Sequence, residues 1–441
     1  MTPSVHPLSP SFITRFTQNI HDSHRMNFLK LRIRRQSGKA LVACDSTTRS
    51  AYGRCLADIR WGNNKDNDAL RNTLEVVVYS IDTHEPIYYR TFAGNESDSR
   101  TLRTIISDLK ELGCQNLTVV FDRGYETEEN IDEMIRHNQS FLVCSRLGRR
   151  PVYDEILKLR YDAEGIPSDM DYDPDTGLYH IQTHINRKVT ANDDGSSITA
   201  DLNVNLFLDM TRRIRELIEL REEMRFEEKI VDRYAGQPCS SEKMKELKKI
   251  CPYFKVTCDK DGFLVAVPNE KKITKIKATA GFFSSLSYEV EGNAIRQYEY
   301  YKLRDEQEKY FESMKDQLGF SLQRNWSEDG KTGRLFILFV GLIMQSEIRS
   351  VWERELKNEY PSSVDVLHEM VPIRFVEYEN GRTHVTGFTR KQAHICQTFG
   401  IPIPEDCLSE SQKAAIDRAK AHRGRGRPKG SVNRKKVVAQ L

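Results

Sequence analysis

Apolar and polar residues along this chain fall into strand-length and helix-length runs. Residues 40–44 form an apolar run that meets Asp45, and residues 117–121 form a second that meets Asp122. Between them, residues 74–80 and 86–92 read as two further strands. Their connection, 81–85, contains Asp82 and Thr83 and suits a hairpin. Leu102, Ile105, Ile106 and Leu109 recur at helical spacing and predict a helix over about 98–112. A helix near 128–137 and a strand over 141–144 follow. The pattern is that of an α/β fold, a mixed sheet with flanking helices.

Outside this block the signals are more varied. Residues 1–38 form a basic lead-in with one helix, about 11–34, carrying Arg25, Lys30, Arg32, Arg34 and Arg35. Between residues 151 and 290, Asp175-Thr176-Gly177 and Asp261-Gly262 mark two β hairpins. Between these turns, MTRRIRELIELREEMRFEEKI predicts a charged helix, with Ile214, Leu217, Ile218 and Leu220 as its apolar positions. The most apolar stretch, residues 335–344, is too short to cross a bilayer and reads as a buried helix. Residues 356–410 read as a small accessory subdomain, with a hairpin around Asn380-Gly381 and a helix over 389–399 ended by Gly400, Pro402 and Pro404.

Candidate chemistry concentrates in YYKLRDEQEKYFESMK, where Tyr301, Arg304, Glu308 and Lys315 stand at the spacing Y-x2-R-x3-E-x6-K. The stretch lacks Pro and Gly, and helix formers dominate it. At about 100° per residue the four fall within roughly 60° of one another. One stripe thus holds a carboxylate flanked by two cations and a phenol. That set suits a divalent metal beside a phosphodiester, with Glu on the metal and Arg, Lys and Tyr on phosphate oxygens. A solvated helix face with pairs such as Arg304–Glu308 gives the same pattern. Asp45 and Asp122 shift the balance. Each stands just past a buried strand, at the sheet edge where open α/β sheets place their chemistry. Either alone would serve as a cap or turn former. Arg123-Gly124 begins a turn after Asp122, and Thr127 with Glu128 supplies a separate cap for the next helix.

ACDSTT, VVFDRGY and the spaced Tyr301, Arg304, Glu308 and Lys315 resemble the three catalytic blocks of DDE transposases from bacterial insertion sequences. The insertion-sequence-4 family, with its Tyr-Arg-Glu-Lys third block, is the closest group, and the resemblance runs from about residue 40 to about 352. It implies a ribonuclease-H-like core, for which three antiparallel strands followed by strand–helix alternation is the expected order. It implies that Asp45, Asp122 and Glu308 bind two divalent ions, Mg²⁺ or Mn²⁺. Tyr301, Arg304 and Lys315 are then expected to contact DNA near the transposon end, together with Arg123. The implied activity is metal-dependent strand cleavage at transposon ends and strand transfer to target DNA. The implied setting is a homodimer on double-stranded DNA, at the nucleoid of a bacterial cytoplasm.

From Asp122 to Glu308 is 186 residues, counted by position, more than a compact core needs. Residues 151–290 are therefore expected to be a β-rich insertion domain with one charged helix, between core segments 39–150 and 291–355. Relatives carry a sizeable end-recognition domain before the first Asp. Here 44 residues precede Asp45, so residues 1–38 read as a remnant of that domain. DNA affinity is accordingly expected to be largely independent of sequence.

The formal net charge of +3 conceals an asymmetry. Residues 411–441 hold ten basic side chains against Asp417 alone, the composition of a disordered tail or a nucleic-acid contact. Within it Arg425-Gly426-Arg427-Pro428-Lys429 resembles an AT-hook core. Gly lets the backbone lie flat in a minor groove, Pro keeps it extended, and the Arg side chains follow the negative potential of A·T tracts. The nine cysteines include no C-x-x-C pair, and no His pair completes a zinc site around Cys251 and Cys258. Cys44 and Cys144 read as buried thiols. An odd cysteine count without a signal peptide argues for a reducing cytoplasm, and no membrane partner is expected. Two other readings remain, a truncated, non-catalytic DNA-binding remnant and a nuclease of the same fold. Metal-dependent nicking excludes the former, and joining of the cut 3′ end excludes the latter.

Overall fold

The computed structural model describes residues 9–35, 40–53, 56–65, 68–114, 116–163, 165–190, 196–238, 240–304, 322–323, 327–377, 383–385 and 388–403. The chain divides into two compact units, residues 17–342 and residues 1–16 with 343–441.

The larger unit is built on one mixed sheet. Its first five strands are β1 (Ala40–Ala51), β2 (Arg71–Ser80), β3 (Glu85–Ala93), β4 (Leu117–Phe121) and β5 (Ser140–Ser145). They lie in the order β3-β2-β1-β4-β5. β1, β2 and β3 are antiparallel, whereas β4 runs parallel to β1 and β5 parallel to β4. This is the ribonuclease-H-like arrangement expected. Val42, Ala43, Val78, Val119, Val120, Leu142 and Val143 are fully buried, as central strands covered on both faces require.

The lead-in forms two helices rather than one, α1 (Pro10–Gln18) and α2 (Asp22–Ile33). The break lies where the His21 backbone N–H turns onto His24 Nδ1, at 3.2 Å. Asp22 then opens α2, where a carboxylate meets the positive end of the helix dipole. The crossover helices α3 (Asp98–Glu111) and α4 (Glu128–Arg136) fall where their apolar stripes place them. Thr127 caps α4 by accepting from the Asn130 N–H at 3.1 Å.

Residues 151–290 depart from the expected separate domain. They hold α5 (Arg150–Lys158), α6 (Met210–Tyr234), α7 (Ser241–Ile250) and α8 (Glu270–Thr279), not one helix. Their strands β6 (Asp171–Asp173), β7 (Leu178–Thr190), β8 (Ser197–Leu208) and β11 (Phe282–Tyr288) extend the core sheet, in the order β5-β11-β8-β7-β6. The reason lies in β8 and β11. Leu202, Val204, Leu206 and Leu208 are fully buried, and β11 is paired along both edges, by β5 and by β8. Among the described residues of this span, β9 (Phe254–Cys258) and β10 (Leu264–Pro268) stand apart, as a hairpin on a small core of Val231, Leu247, Phe254, Val256 and Leu264. Both turn signals hold, with Gly177 and Gly262 at φ 71° and 84°, values a side chain would oppose. Cys258 is disulfide-bonded, an exception to the reducing compartment read from the cysteines.

The apolar stretch at 335–344 lies inside a longer helix, Glu328–Val351. By length and composition the helical stretch Glu328–Leu356 would pass for a membrane span. One side of it packs against protein. Phe336 meets Phe28 edge-on at 5.2 Å between ring centroids, and Phe339 meets Tyr89 at 4.6 Å.

In the smaller unit Leu356, Tyr360, Val366 and Ile395 form a core, and strands Phe375–Glu377 and Thr383–Val385 pair antiparallel. The expected turn at Asn380-Gly381 lies outside the described residues. The helix Arg390–Thr398 is held by a reciprocal cap between Thr389 and Gln392. The tail, with Arg425, Arg427 and Lys429, also lies outside the described residues.

Candidate active site

The register of β1 and β4 brings the two aspartates together. Ala43 pairs with Val120 and Cys44 with Phe121. The next residues along the two segments are Asp45 and Asp122. Side chains alternate along a strand, so both carboxylates share the face of Ala43 and Val120. That face is covered by α9 (Ala294–Leu303), whose Tyr300, Tyr301 and Leu303 pack on Ala43, Tyr79, Val120 and Leu142.

Asp45 does not close its strand. β1 continues six residues beyond it, to Ala51. The polar run Ser46–Ser50 is buried because each of several side chains finds a partner. Ser46 Oγ donates to Asp98 at 2.8 Å, Thr48 Oγ1 to Asn64 at 3.3 Å and Ser50 Oγ to Asp68 at 2.6 Å. Arg49 pairs with Glu75 at 3.2 Å. Asp45 thus stands where β4 ends beside a continuing β1.

The first two residues of the Tyr-Arg-Glu-Lys stripe lie on the two carboxylates. Tyr301 Oη donates to Asp122 Oδ1 at 2.9 Å. Arg304 Nη1 stands 3.8 Å from Asp45 Oδ2, and its guanidinium carbon lies 5.0 Å from the Tyr301 ring centroid. The Arg304 and Asp45 side chains are only 6% and 16% exposed, so their attraction is weakly screened. The Ser46 N–H donates to Asp45 Oδ1 at 2.7 Å, fixing the other oxygen. Burial, seconded by Cys144 and Asp122, pushes the Tyr301 hydroxyl well above its ordinary range, so it stays a donor. Burial raises the Cys144 thiol, and burial with Asp45 raises Cys44 to about 12. Neither cysteine is a nucleophile at neutral pH.

α9 is seated by a buried amide that sequence reading missed. Gln297, one turn before Tyr301, is fully buried. Its Oε1 accepts from Asn205 Nδ2 at 2.8 Å and from Ser287 Oγ at 2.7 Å. Its Nε2 donates to the carbonyls of Val290 and Gly292, both at 3.1 Å. Gln at helix i, with Tyr and Arg at i+4 and i+7, is the only signal the sequence held. Behind β1, Lys65 Nζ reaches Asp98 at 3.2 Å and the Ser46 carbonyl at 2.8 Å. Arg123 is exposed in the short turn Arg123–Tyr125 that follows Asp122. Glu308 and Lys315 lie outside the described residues, between Arg304 at the site and the short strand Leu322–Gln323, which pairs with β1 at Ser50 and Ala51.

The donors fit a hard divalent cation. Asp45 and Asp122 offer carboxylate oxygens side by side, half-buried, at the sheet's carboxyl edge. Among the described residues no group of three or more His, Cys, Asp and Glu side chains stands ready for a metal. The described part of the site therefore offers two carboxylates.

Residues 36–344 match the family described as "Transposase DDE domain", a span that contains Asp45, Asp122 and the whole Tyr-Arg-Glu-Lys stripe. The chain belongs to the DDE transposase family. No curated protein matches the transposase sequence. Among solved structures it is similar to a piggyBac transposase synaptic complex with hairpin DNA, at 8% identity and a TM-score of 0.37. That match covers 94% of this chain and 64% of the other. It is also similar to a Mos1 transposase paired-end complex with the left transposon end. That match has 13% identity and a TM-score of 0.17, and covers 31% of this chain and 43% of the other.

Proposed function

We propose that this DDE transposase is a cut-and-paste DNA transposase of the insertion-sequence-4 group. The observation that carries the reading is that Tyr301 and Arg304 of one helix end reach Asp122 and Asp45, the residues that follow the last paired positions of β4 and β1. Asp45, Asp122 and Glu308 would hold two divalent ions, Mg²⁺ or Mn²⁺. When bound, such ions supply Lewis-acid activation of water and stabilise the leaving 3′-oxygen.

The chain's own residues do the rest. Gln297 keeps α9 against the sheet, so Tyr301 and Arg304 stay over the carboxylates. Tyr301 remains protonated and orients Asp122. Arg304, Lys315 and the exposed Arg123 would hold phosphate oxygens on either side of the scissile bond. The freed 3′-hydroxyl would then attack a phosphodiester of the target. The partner is double-stranded DNA, both transposon end and target, bound by a homodimer at the bacterial nucleoid without a membrane. The test is a supercoiled plasmid carrying the element's ends, incubated with the protein and Mn²⁺. Nicking followed by joining of the 3′ end to a second duplex is expected. Nicking without joining would make the protein a nuclease, and neither would make it a non-catalytic remnant.

Two consequences concern DNA affinity. Arg304→Ala is expected to weaken duplex binding and to lower the slope of log affinity against log salt by about one unit. Unchanged affinity beside a lower melting temperature would make Arg304 a structural residue only. Deleting residues 411–441 removes ten positive charges against one negative. Binding to all duplexes is expected to weaken, and more for A·T-rich ones if Arg425 and Arg427 enter the minor groove beside Lys429. Competition assays with A·T-rich and G·C-rich duplexes measure both effects.

A further inference from the structure

Arg304 occupies an unusual place for a phosphate contact. Its guanidinium lies 3.8 Å from Asp45, is almost wholly buried, and is backed by the Tyr301 ring. Tyr301 at the same time fills a lone pair of Asp122. Both carboxylates therefore already hold positive or proton-bearing partners supplied by one helix. A fixed cation at this distance from a carboxylate opposes a divalent ion at the same carboxylate, and low exposure keeps that opposition strong.

We propose that Arg304 is an internal counter-ion that holds divalent-metal affinity at Asp45 low until a DNA phosphate draws it away. The inference rests on the metal-binding reading of Asp45 and Asp122 and adds a regulation to it. A phosphate that binds Arg304 releases Asp45. Linkage then requires the converse: metal at Asp45 frees Arg304 for phosphate, so each ligand tightens the other. Metal loading is thereby confined to the DNA-bound protein.

The experiment is calorimetric titration of the full chain with Mn²⁺ in the absence of DNA, for wild type, Arg304→Gln and Asp45→Asn. Arg304→Gln is expected to bind Mn²⁺ about tenfold more tightly than wild type, the reverse of what lost folding would give. If Gln at 304 lowers stability, the rise in melting temperature caused by Mn²⁺, read against each protein's own metal-free value, supplies the comparison. In a second arm, the gain in duplex affinity on adding Ca²⁺ is expected to be smaller in Arg304→Gln than in wild type. Equal or weaker Mn²⁺ binding by Arg304→Gln, or an equal Ca²⁺ gain, would overturn the role of Arg304 and leave the metal site standing. Wild-type Mn²⁺ binding by Asp45→Asn would remove the site itself, and the proposal with it.

Discussion

Asp122→Asn is expected to abolish metal-dependent DNA cleavage, a loss of more than about a thousandfold, while the protein stays folded. Asn has the shape of Asp, and its side-chain oxygen still accepts the Tyr301 hydroxyl that now reaches Asp122 at 2.9 Å. What disappears is the negative charge, and with it a hard ligand for a divalent ion. Several kcal/mol of Lewis-acid stabilisation are at stake, and each 1.36 kcal/mol is about tenfold in rate. Asp45→Asn is expected to be equally inactive but less stable, because Arg304 then keeps its buried charge with a neutral neighbour. Glu308→Gln is expected to join them, whereas Glu312→Gln, on the same arc of the sequence stripe, should still cleave. The assay is conversion of supercoiled to nicked plasmid with Mn²⁺, paired with thermal melting. Cleavage by Asp122→Asn at the wild-type rate would show that the chemistry lies elsewhere.

Arg49→Met is expected to cost about 3–5 kcal/mol of folding stability, the usual penalty for removing one partner of a buried ion pair. Arg49 and Glu75 face each other at 3.2 Å with side chains 2% and 3% exposed. Thr73 and Thr91 also donate to Glu75, at 3.0 and 2.6 Å, so without Arg49 the carboxylate would keep hydroxyl partners but no counter-charge. Burial lowers the affinity of Arg49 for its proton, a sign of how strongly the site disfavours an isolated charge. The double replacement Arg49→Met with Glu75→Leu is expected to recover much of the loss, since no orphaned ion remains. Denaturant melts of the three variants decide this. An Arg49→Met protein as stable as wild type would mean that the pair contributes nothing.

The two pairs of residues also show what the sequence made legible. Apolar runs of strand length located β2, β4 and β5, and the period of Leu102, Ile105, Ile106 and Leu109 located α3. Those signals are local, and burial enforces them directly. The full length of β1 was not legible. Asp45, Ser46, Thr47, Thr48, Arg49 and Ser50 look like the end of a strand, but Ser46, Thr48, Arg49 and Ser50 are matched by Asp98, Asn64, Glu75 and Asp68, all distant in sequence. The same blindness hid the continuity of residues 151–290 with the core. Asn205, Ser285 and Ser287 interrupt the apolar pattern of β8 and β11, and they are buried because Gln297 bonds Asn205 and Ser287 while Asn205 bonds Ser285. At the site, the proximity of two strand ends was readable from their order. That Tyr301 and Arg304 rest on the carboxylates was not, because it depends on where α9 docks.

The arrangement of Asp45 and Asp122 can be tested without any DNA. Crystals of the protein soaked in Mn²⁺ and measured near the manganese absorption edge should show an anomalous peak touching carboxylate oxygens of both residues, at the about 2.0–2.2 Å typical of small hard cations. Asp122→Asn crystals should lose that peak. A peak elsewhere in the protein, with none between these two side chains, would contradict the assignment of this site as the centre of phosphodiester chemistry.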